Sequence, residues 1–174
     1  MNLLKSISPG ESPPEIINVV VDIAKGSLNK YEYDEERGYF ILDRVSYSSI
    51  SWPFDYGSIP QTKADDGDPL DVVLLVTNPT FPGCVVKARP IGILLMEDEA
   101  GEDNKIIALP IEKIEPRFKE IQDISGLAEH TKKEIEFFFE HYKKLEPGKF
   151  VKIKGWQGKE KAKEKISQAV KEWT

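Results

Sequence analysis

Residues 85 to 98 read VVKARPIGILLMED, a long and largely apolar run that predicts one β-strand. Pro90 interrupts this run, and because proline cannot donate to a strand ladder, we expect a bend or an edge position there. The acidic segment EAGED (99 to 103) predicts a turn, and KIIALP (105 to 110) predicts the returning strand.

Further short strands are predicted on the N-terminal side of this pair. INVVVDIA (17 to 24) and DVVLLVT (71 to 77) have the length and apolar composition of strands. KYEYDEERGYFILDRV (30 to 45) predicts a hairpin, with Gly38 supplying the positive φ of its turn. The aromatic segment from 46 to 62 contains prolines and a glycine, so it predicts an irregular strand or a loop.

The last third of the chain has helical periodicity. Ser125 is predicted to cap a helix that continues through Leu145, with an apolar face of residues three or four apart. A strand is predicted from 149 to 156 and a second helix from 159 to 173, with Trp173 facing inward. Because strands come first and helices follow, we expect an α+β fold, mainly β, with helices packed outside a closed or strongly curved sheet. Its length fits a single domain, residues 1–174.

The composition argues against several classes of function. Acidic residues outnumber basic ones, 30 to 24, and the net charge of −6 counts against general nucleic-acid binding. A single cysteine, Cys84, allows no internal disulfide and fits a reducing compartment. The sequence shows neither a signal-like apolar stretch at its start nor a run long enough to span a membrane. A cytoplasmic protein without a membrane partner is therefore expected.

Four carboxylates, Asp65, Asp66, Asp68 and Asp71, are crowded into the stretch ADDGDPLDVV (64 to 73). A surface turn is one interpretation, since Asp-Gly and Asp-Pro form turns. Like charges so close together repel one another, however, and a bound divalent cation offsets that repulsion directly. The spacing does not match a helix–loop–helix calcium site, and neither histidine is near enough in sequence for a zinc site. Carboxylates alone suit magnesium or manganese.

A second acidic turn, MEDEAGEDNK (96 to 105), lies between two predicted strands. Alone it is typical of a solvated hairpin turn, but a curved sheet that joined both turns would make it the second wall of one metal site. Magnesium sites built from few carboxylates usually act on phosphates, which also need cations and hydroxyl donors. The candidates of these types are Lys30, Arg44, Lys105, Lys143, Tyr56 and Tyr142. None of them is decisive when taken singly.

Several motifs, in one order along most of the chain, resemble those of the soluble family I inorganic pyrophosphatases. DGDPLDV (66 to 72) is similar to the family signature of Asp, a small residue, Asp, Pro, an aliphatic residue and Asp. NKYEYD, LDRV, WPFDYG, DEAGEDNK and FFFEHYKKLEPGKFVKIKGW are similar to other family segments. The matching residues in those segments are Lys30, Glu32, Arg44, Tyr56, Asp98, Asp103, Lys105, Tyr142 and Lys143.

The resemblance implies a fold and a reaction. The fold is a five-stranded closed barrel of the OB type with flanking α-helices. The reaction is magnesium-dependent hydrolysis of inorganic pyrophosphate to two phosphates, by direct attack of metal-bound water and without a covalent intermediate. Several magnesium ions per subunit are implied, with manganese or zinc as substitutes. A homo-hexamer is implied as well.

The resemblance also implies roles for individual residues. The implied metal ligands are Asp66, Asp71, Asp98, Asp103 and Glu32. Asp68 is the implied proton acceptor, and Tyr56 and Arg44 join it as catalytic residues. The implied substrate-binding residues are Lys30, Arg44, Tyr56, Lys105, Tyr142 and Lys143.

Two positions in the implied active-site lining depart from the family pattern. Asp22 stands where the family usually has glutamate, and Trp52 where it usually has tyrosine. We expect a working but slower enzyme. The alternatives are a non-enzymatic OB-type module that binds nucleic acid or nucleotides, and a pyrophosphatase that has lost its activity. For assembly, Phe137 and His141 lie away from much of the helix's apolar face and are expected to meet a partner subunit.

Overall fold

The computed structural model describes residues 2–173, in which the chain forms nine strands and three α-helices. Met1 and Thr174, the two ends of the predicted domain, lie outside the described residues. The strands are β1 Ile17–Ile23, β2 Asn29–Asp34, β3 Tyr39–Val45, β4 Asp55–Ser58, β5 Asp71–Leu74, β6 Val85–Asp98, β7 Gly101–Glu102, β8 Lys105–Pro110 and β9 Val151–Gly158. The helices are α1 Leu3–Ser6, α2 Glu129–His141 and α3 Lys159–Trp173.

Five strands form a closed ring of hydrogen-bonded neighbours. The ring runs β1, β4, β5, β8, β6 and back to β1, and only β5 and β8 are parallel. The long strand β6 closes the ring, because its first residues pair with β1 while later residues pair with β8 and β9. The register of β6 against β8 shifts between Pro90 and Gly92, which confirms the bend predicted at the proline. The fold is mainly β with few helices, as predicted.

The ring strands bury apolar side chains on both faces. Alternate residues of β5 and β8 enter two different hydrophobic clusters, as the two-residue period of a strand requires. One cluster includes Phe138 and Phe139 of α2, and the other includes Ala162, Ile166 and Ala169 of α3. The two long helices therefore complete separate cores on opposite faces of these strands.

Strands β2 and β3 form a hairpin that is a two-stranded sheet of its own, separate from the larger sheet. Gly38 in its turn has a φ of 77°, which confirms the prediction from sequence. The far end of the hairpin is tied to the N-terminal segment. There the Leu3 N–H donates to the Tyr33 hydroxyl at 2.7 Å, and the Asn2 side chain donates to the Glu35 carbonyl at 2.7 Å.

The first long helix differs from its prediction at both ends. Ser125 does not cap α2: it lies in a 3-10 turn, Ile124–Gly126, where the Asp123 carboxylate accepts the Ser125 N–H, and the N-cap of α2 is Ala128, which makes no side-chain capping bond. Leu127 is then extended, so α2 begins only at Glu129. Leu145, which was predicted on the apolar face, lies beyond the end of α2 and is 65% exposed. That prediction was wrong because the chain folds into turns after Tyr142.

Several other boundaries shift from their predictions. The irregular segment 46–62 contains β4, the strand predicted over 71–77 ends at Leu74, and the turn predicted over 99–103 contains β7. Helix α3 has its predicted range, but Trp173 is 39% exposed and does not face inward as predicted. Ala169 is the last buried residue of α3, so the helix has passed the core before it reaches Trp173. Over residues 2–173, no helix has the length and apolar character needed to traverse a bilayer.

Candidate active site

The two acidic turns lie together at one end of the ring. Asp71 is the first residue of β5 and Lys105 is the first residue of β8, and these strands are parallel neighbours. The Lys105 ammonium donates to the Asp71 carboxylate at 2.6 Å and also to the Asp103 carboxylate. The parallel pairing therefore brings the two turns to one place, as a curved sheet was expected to do.

The loop that carries the first acidic cluster is folded by its own backbone. The Ala64 N–H donates to the Asp68 carbonyl at 2.7 Å, and the Gly67 N–H donates to the Ala64 carbonyl at 2.9 Å. Gly67 has a φ of 94°, which residues with a Cβ rarely adopt. The Asp68 N–H donates to the Asp66 carboxylate at 3.0 Å. These bonds hold Asp66 and Asp68 on one tight turn.

Asp68 is an exposed carboxylate among other carboxylates. Partial burial and the negative charges of Asp66 and Asp71 raise its pKa above the ordinary value. A carboxylate with a raised pKa is a better proton acceptor near neutral pH. Asp65 is engaged elsewhere, because it pairs with Lys165 of α3 at 3.3 Å. Asp65 is therefore tied to α3, although it lines the same small cleft as Asp66 and Asp71.

Lys105 is the deepest cation of the site, with a side chain only 4% exposed. Burial alone would lower the pKa of Lys105, but the carboxylates of Asp71 and Asp103 outweigh burial and raise it. Burial raises the pKa of Asp103, and so do the negative charges of Asp71 and Asp98. The positive charge of Lys105 lowers this pKa but does not outweigh them. The ammonium also lies 5.5 Å from the centre of the Tyr56 ring. Its positive charge is what allows the two carboxylates to lie so close together.

The two candidate tyrosines belong to an aromatic wall. The ring of Trp52, which is 2% exposed, lies 5.0 Å from the Tyr56 ring and 5.6 Å from the Tyr142 ring. Burial raises the pKa of both tyrosines, and the charges of Asp71 and Asp103 raise that of Tyr56 further. Both phenols therefore stay protonated, so each can donate a hydrogen bond.

Lys143 and Arg44 are each paired with a carboxylate. Lys143 is buried, donates to Asp98 at 2.9 Å and lies 3.3 Å from Glu99. Arg44 donates its Nε–H to Glu146 at 3.0 Å. The second acidic turn is therefore bound to the chain segment that follows α2.

The hairpin of β2 and β3 supplies the remaining predicted residues. Lys30 pairs with Glu32 on the same strand and lies 3.5 Å from Asp43 on the other strand. Asp43 also pairs with Arg44. The charges of Glu35 and Glu32 in this part of the chain also act to raise the pKa of Asp68.

Asp22 and Trp52 each carry a buried polar atom without a hydrogen-bond partner among residues 2–173. These atoms are Asp22 Oδ1 and Trp52 Nε1. Burial and the charge of Asp71 raise the pKa of Asp22 well above its ordinary value, against the opposing charge of Lys30. Both residues therefore lie in the site, and both leave a hydrogen bond unmade there.

Sequence reasoning assigned no role to Asp43 and Glu146, although each pairs with a predicted cation. Asp43 could have been suspected because it is adjacent to Arg44. Glu146 had no such signal, because it is distant from Arg44 in sequence and lies where the sequence predicts the end of a helix.

Asp66, Asp71 and Asp103 line one small cleft, about 50 Å³ in volume, between the acidic turns and α3. Over the described range 2–173, no three Asp, Glu, His or Cys side chains converge closely enough to form a ready-made metal cage. The chemistry of the donors still fits a hard divalent cation, since all are carboxylates. Their mutual repulsion, seen in the raised pKa of Asp68 and of Asp103, is what such a cation would relieve.

Comparisons with known proteins agree on one family. The family model described as inorganic pyrophosphatase matches residues 19–174. An inorganic pyrophosphatase of Sulfolobus acidocaldarius is 52% identical over 165 residues, which cover 95% of each chain. One of Aquifex pyrophilus is 46% identical over 169 residues, which cover 97% of this chain and 96% of the relative. The crystal structure of the inorganic pyrophosphatase from Thermus thermophilus superposes with a TM-score of 0.95 at 45% identity and covers 99% of both chains.

Proposed function

Because the chain belongs to the inorganic pyrophosphatase family, whose members are hydrolases that act on pyrophosphate, we propose that it cleaves pyrophosphate by magnesium-dependent, direct attack of water. The observation that carries this proposal is the Lys105 ammonium between Asp71 and Asp103, which joins both acidic turns in one cleft. Release of phosphate from pyrophosphate, with magnesium supplied or removed, is the experiment that tests it.

We assign the metal to carboxylates of three segments: the acidic loop, the second acidic turn and strand β2. The assigned ligands are Asp66, Asp71, Asp98, Asp103 and Glu32. When bound, magnesium neutralises charge on the phosphate groups and makes nearby water more acidic. Several ions per subunit are expected from this many carboxylates, and manganese or zinc are expected to substitute.

Asp68 is our choice for the group that accepts the proton of the attacking water. It is exposed on its loop, so water can reach it. Partial burial is the largest cause of its raised pKa and, unlike the charges of Asp66 and Asp71, persists when those carboxylates hold a metal, so its basicity stays closer to what neutral pH requires. The proton goes to a carboxylate, the water oxygen bonds to phosphorus, and the bridging P–O bond breaks to release the second phosphate, so no covalent enzyme–phosphate is needed.

Pyrophosphate would be held by cations that pair with carboxylates in the structure. These cations are Lys30, Arg44, Lys105 and Lys143. Arg44 offers a planar fork of donors to two phosphate oxygens, whereas the lysines act as point charges. The hydroxyls of Tyr56 and Tyr142 add neutral donors that remain protonated because burial raises their pKa.

An enzyme that has lost its activity is the second candidate, favoured by the unpartnered atoms of Asp22 and Trp52. Neither residue is among the assigned metal ligands, and neither is the assigned proton acceptor. Each unmade hydrogen bond costs on the order of 1 kcal/mol, which is less than tenfold in rate. We therefore favour a working enzyme that is about tenfold to a hundredfold slower than its relatives, if the two effects add. A nucleic-acid-binding module is disfavoured by the carboxylates that crowd the cleft, since they repel phosphates in the absence of metal.

We propose a homo-hexamer in which α2 lies at a subunit interface. Phe137 is 54% exposed and its ring stacks on that of His141 at 4.0 Å between centroids. An apolar groove of about 360 Å³ lies beside them and is lined by Ile50, Pro53 and Phe138 among others. An exposed aromatic pair beside an apolar groove is typical of a surface that a second copy covers.

Two finer assignments complete the proposal. The closed ring of five strands with helices packed against it supports classification as an OB-type barrel. A cytoplasmic location is supported by the single cysteine, Cys84, because disulfides are rare in reducing compartments.

A further inference from the structure

The hairpin of β2 and β3 needs side-chain contacts to hold it over the site. It carries Lys30, Glu32 and Arg44, yet it forms its own two-stranded sheet and shares no strand ladder with the ring over residues 2–173. Its base is closed by a backbone bond from the Ser46 N–H to the Leu28 carbonyl at 2.7 Å. The position of the Arg44 side chain, at this end of the hairpin, therefore depends on the side chains that it contacts.

Arg44 is held from two sides by carboxylates. Its guanidinium pairs with Asp43 of the hairpin and donates its Nε–H to Glu146, which lies 102 residues away in sequence, at 3.0 Å. The Glu146 side chain is 10% exposed, so this pair is poorly screened by water. A guanidinium has five N–H donors, so these two contacts leave donors for a further anion.

Glu146 is itself fixed by the turn that follows α2. The Glu146 N–H donates to the Lys143 carbonyl at 3.0 Å, and the Lys149 N–H donates to the Glu146 carbonyl at 3.2 Å. The same turn begins at Tyr142 and Lys143, two of the proposed substrate-binding residues. One short turn therefore sets the position of Arg44 relative to both of them.

We propose that Glu146 is a positioning residue for the reaction: it holds the Arg44 guanidinium in register with Tyr142 and Lys143, so that all three meet the same phosphate group. This inference rests on the proposed function of the site. Glu146 contacts no reacting atom in this account, and it acts only through Arg44.

The kinetic test is Glu146→Gln in the full-length chain. This change keeps the size of the side chain and removes the charge that fixes Arg44. We expect kcat/KM for magnesium pyrophosphate to fall about tenfold to a hundredfold, the range for loss of one charged hydrogen bond. Glu140→Gln, at an exposed carboxylate of α2, is the matched control and should change kcat/KM less than about twofold.

Measuring Glu146→Gln again in a variant that lacks Arg44 separates a positioning role of Glu146 from a general structural role. In an Arg44→Gln background, Glu146→Gln should cost less than about twofold, because the group on which it acts has gone. An equal loss in both backgrounds would show that Glu146 supports the fold and not Arg44, and would overturn the proposal.

A measurement that does not depend on enzyme activity distinguishes failure of the positioning role of Glu146 from failure of the proposed function. In protein labelled with ¹⁵N-arginine, the Nε–H signal of Arg44, assigned with Arg44→Lys, should exchange slowly with water in the parent chain. In Glu146→Gln that signal should exchange faster or shift. If the parent chain hydrolyses no pyrophosphate, the proposed function fails while this signal still decides the contact. An unchanged signal in Glu146→Gln would refute the positioning role.

Discussion

The Lys105 ammonium donates to the Asp71 carboxylate at 2.6 Å and so links the first residues of two parallel strands, β8 and β5. The lysine side chain is almost fully buried, whereas that of Asp71 is 35% exposed. This contact places a positive charge where the proposed function places a metal ion. The stability of the site should therefore depend on whether the lysine or a metal supplies the counter-charge.

Replacing Lys105 by methionine should destabilise the protein when metal is absent. The change leaves Asp71 and Asp103 close together without a cation, and breaking a buried pair in this way costs about 2 to 4 kcal/mol when its carboxylates are partly exposed. Millimolar magnesium should recover at least half of that loss, because it binds the folded state alone. Urea unfolding with EDTA or with magnesium measures both quantities.

Lys165→Met is the matched control for this experiment. Lys165 pairs with Asp65, whose side chain is 63% exposed, and pairs of this kind contribute less than about 1 kcal/mol. Its effect should not depend on magnesium. If Lys105→Met lowers the free energy of unfolding equally with and without magnesium, the idea that magnesium can replace the charge of the lysine is refuted.

Asp68→Asn should lower kcat by about a hundredfold to ten-thousandfold with little change in KM, because it removes the proposed proton acceptor. Asp65→Asn changes the same chemical group three positions earlier in the acidic stretch, but Asp65 is paired with Lys165 of α3. It should stay within about twofold of the parent chain. Steady-state kinetics at saturating magnesium compares the two, and equal losses would mean that the roles in this loop are assigned wrongly.

Phe137→Glu should shift the assembly to smaller species at micromolar concentration, because it places a charge in the proposed interface. Leu145→Glu provides the control, since Leu145 is 65% exposed and lies beyond α2. Light scattering coupled to size-exclusion chromatography measures the mass of each. The interface would have to be abandoned if the parent chain were a monomer under these conditions.

The double change Asp22→Glu with Trp52→Tyr should raise kcat only modestly, by less than about tenfold for each restored hydrogen bond. The unpartnered atoms of the two residues mark the bonds in question. The parent chain and the double variant are compared at saturating substrate. An inert parent that becomes active only after the double change would make this protein a pyrophosphatase that has lost its activity.

Local signals were enough to predict much of this fold. Gly38 marks the hairpin turn by its positive φ, and Pro90 marks the register shift in β6. The start of α2 could not be predicted in this way: Ser125 is a good capping residue by type, but it lies in a 3-10 turn capped by Asp123, and α2 begins only at Glu129. Closure of the ring by β6 and β1 was likewise beyond local signals, because it pairs segments distant in sequence.

In the site, too, local features were predicted and contacts between distant segments were not. The carboxylates and cations of the proposed site were predicted because they lie in short motifs, and the pairing of β5 and β8 brings the two acidic turns together. Carboxylates that pair with those cations were missed where the contact joins segments that are distant in sequence. Glu146 meets Arg44 only because the turn after α2 lies against the hairpin. The exposed position of Leu145 has the same origin, since that turn ends the helical periodicity.

Phosphate release from pyrophosphate, followed before and after exhaustive EDTA treatment, tests the central claim most directly. The carboxylates of both acidic turns are assigned to metal, so chelation should abolish hydrolysis and added magnesium should restore it. Asp68→Asn, treated in the same way, should stay nearly inactive with magnesium present. Full activity of the parent chain after complete removal of divalent metal would contradict the account, as would no activity with magnesium supplied.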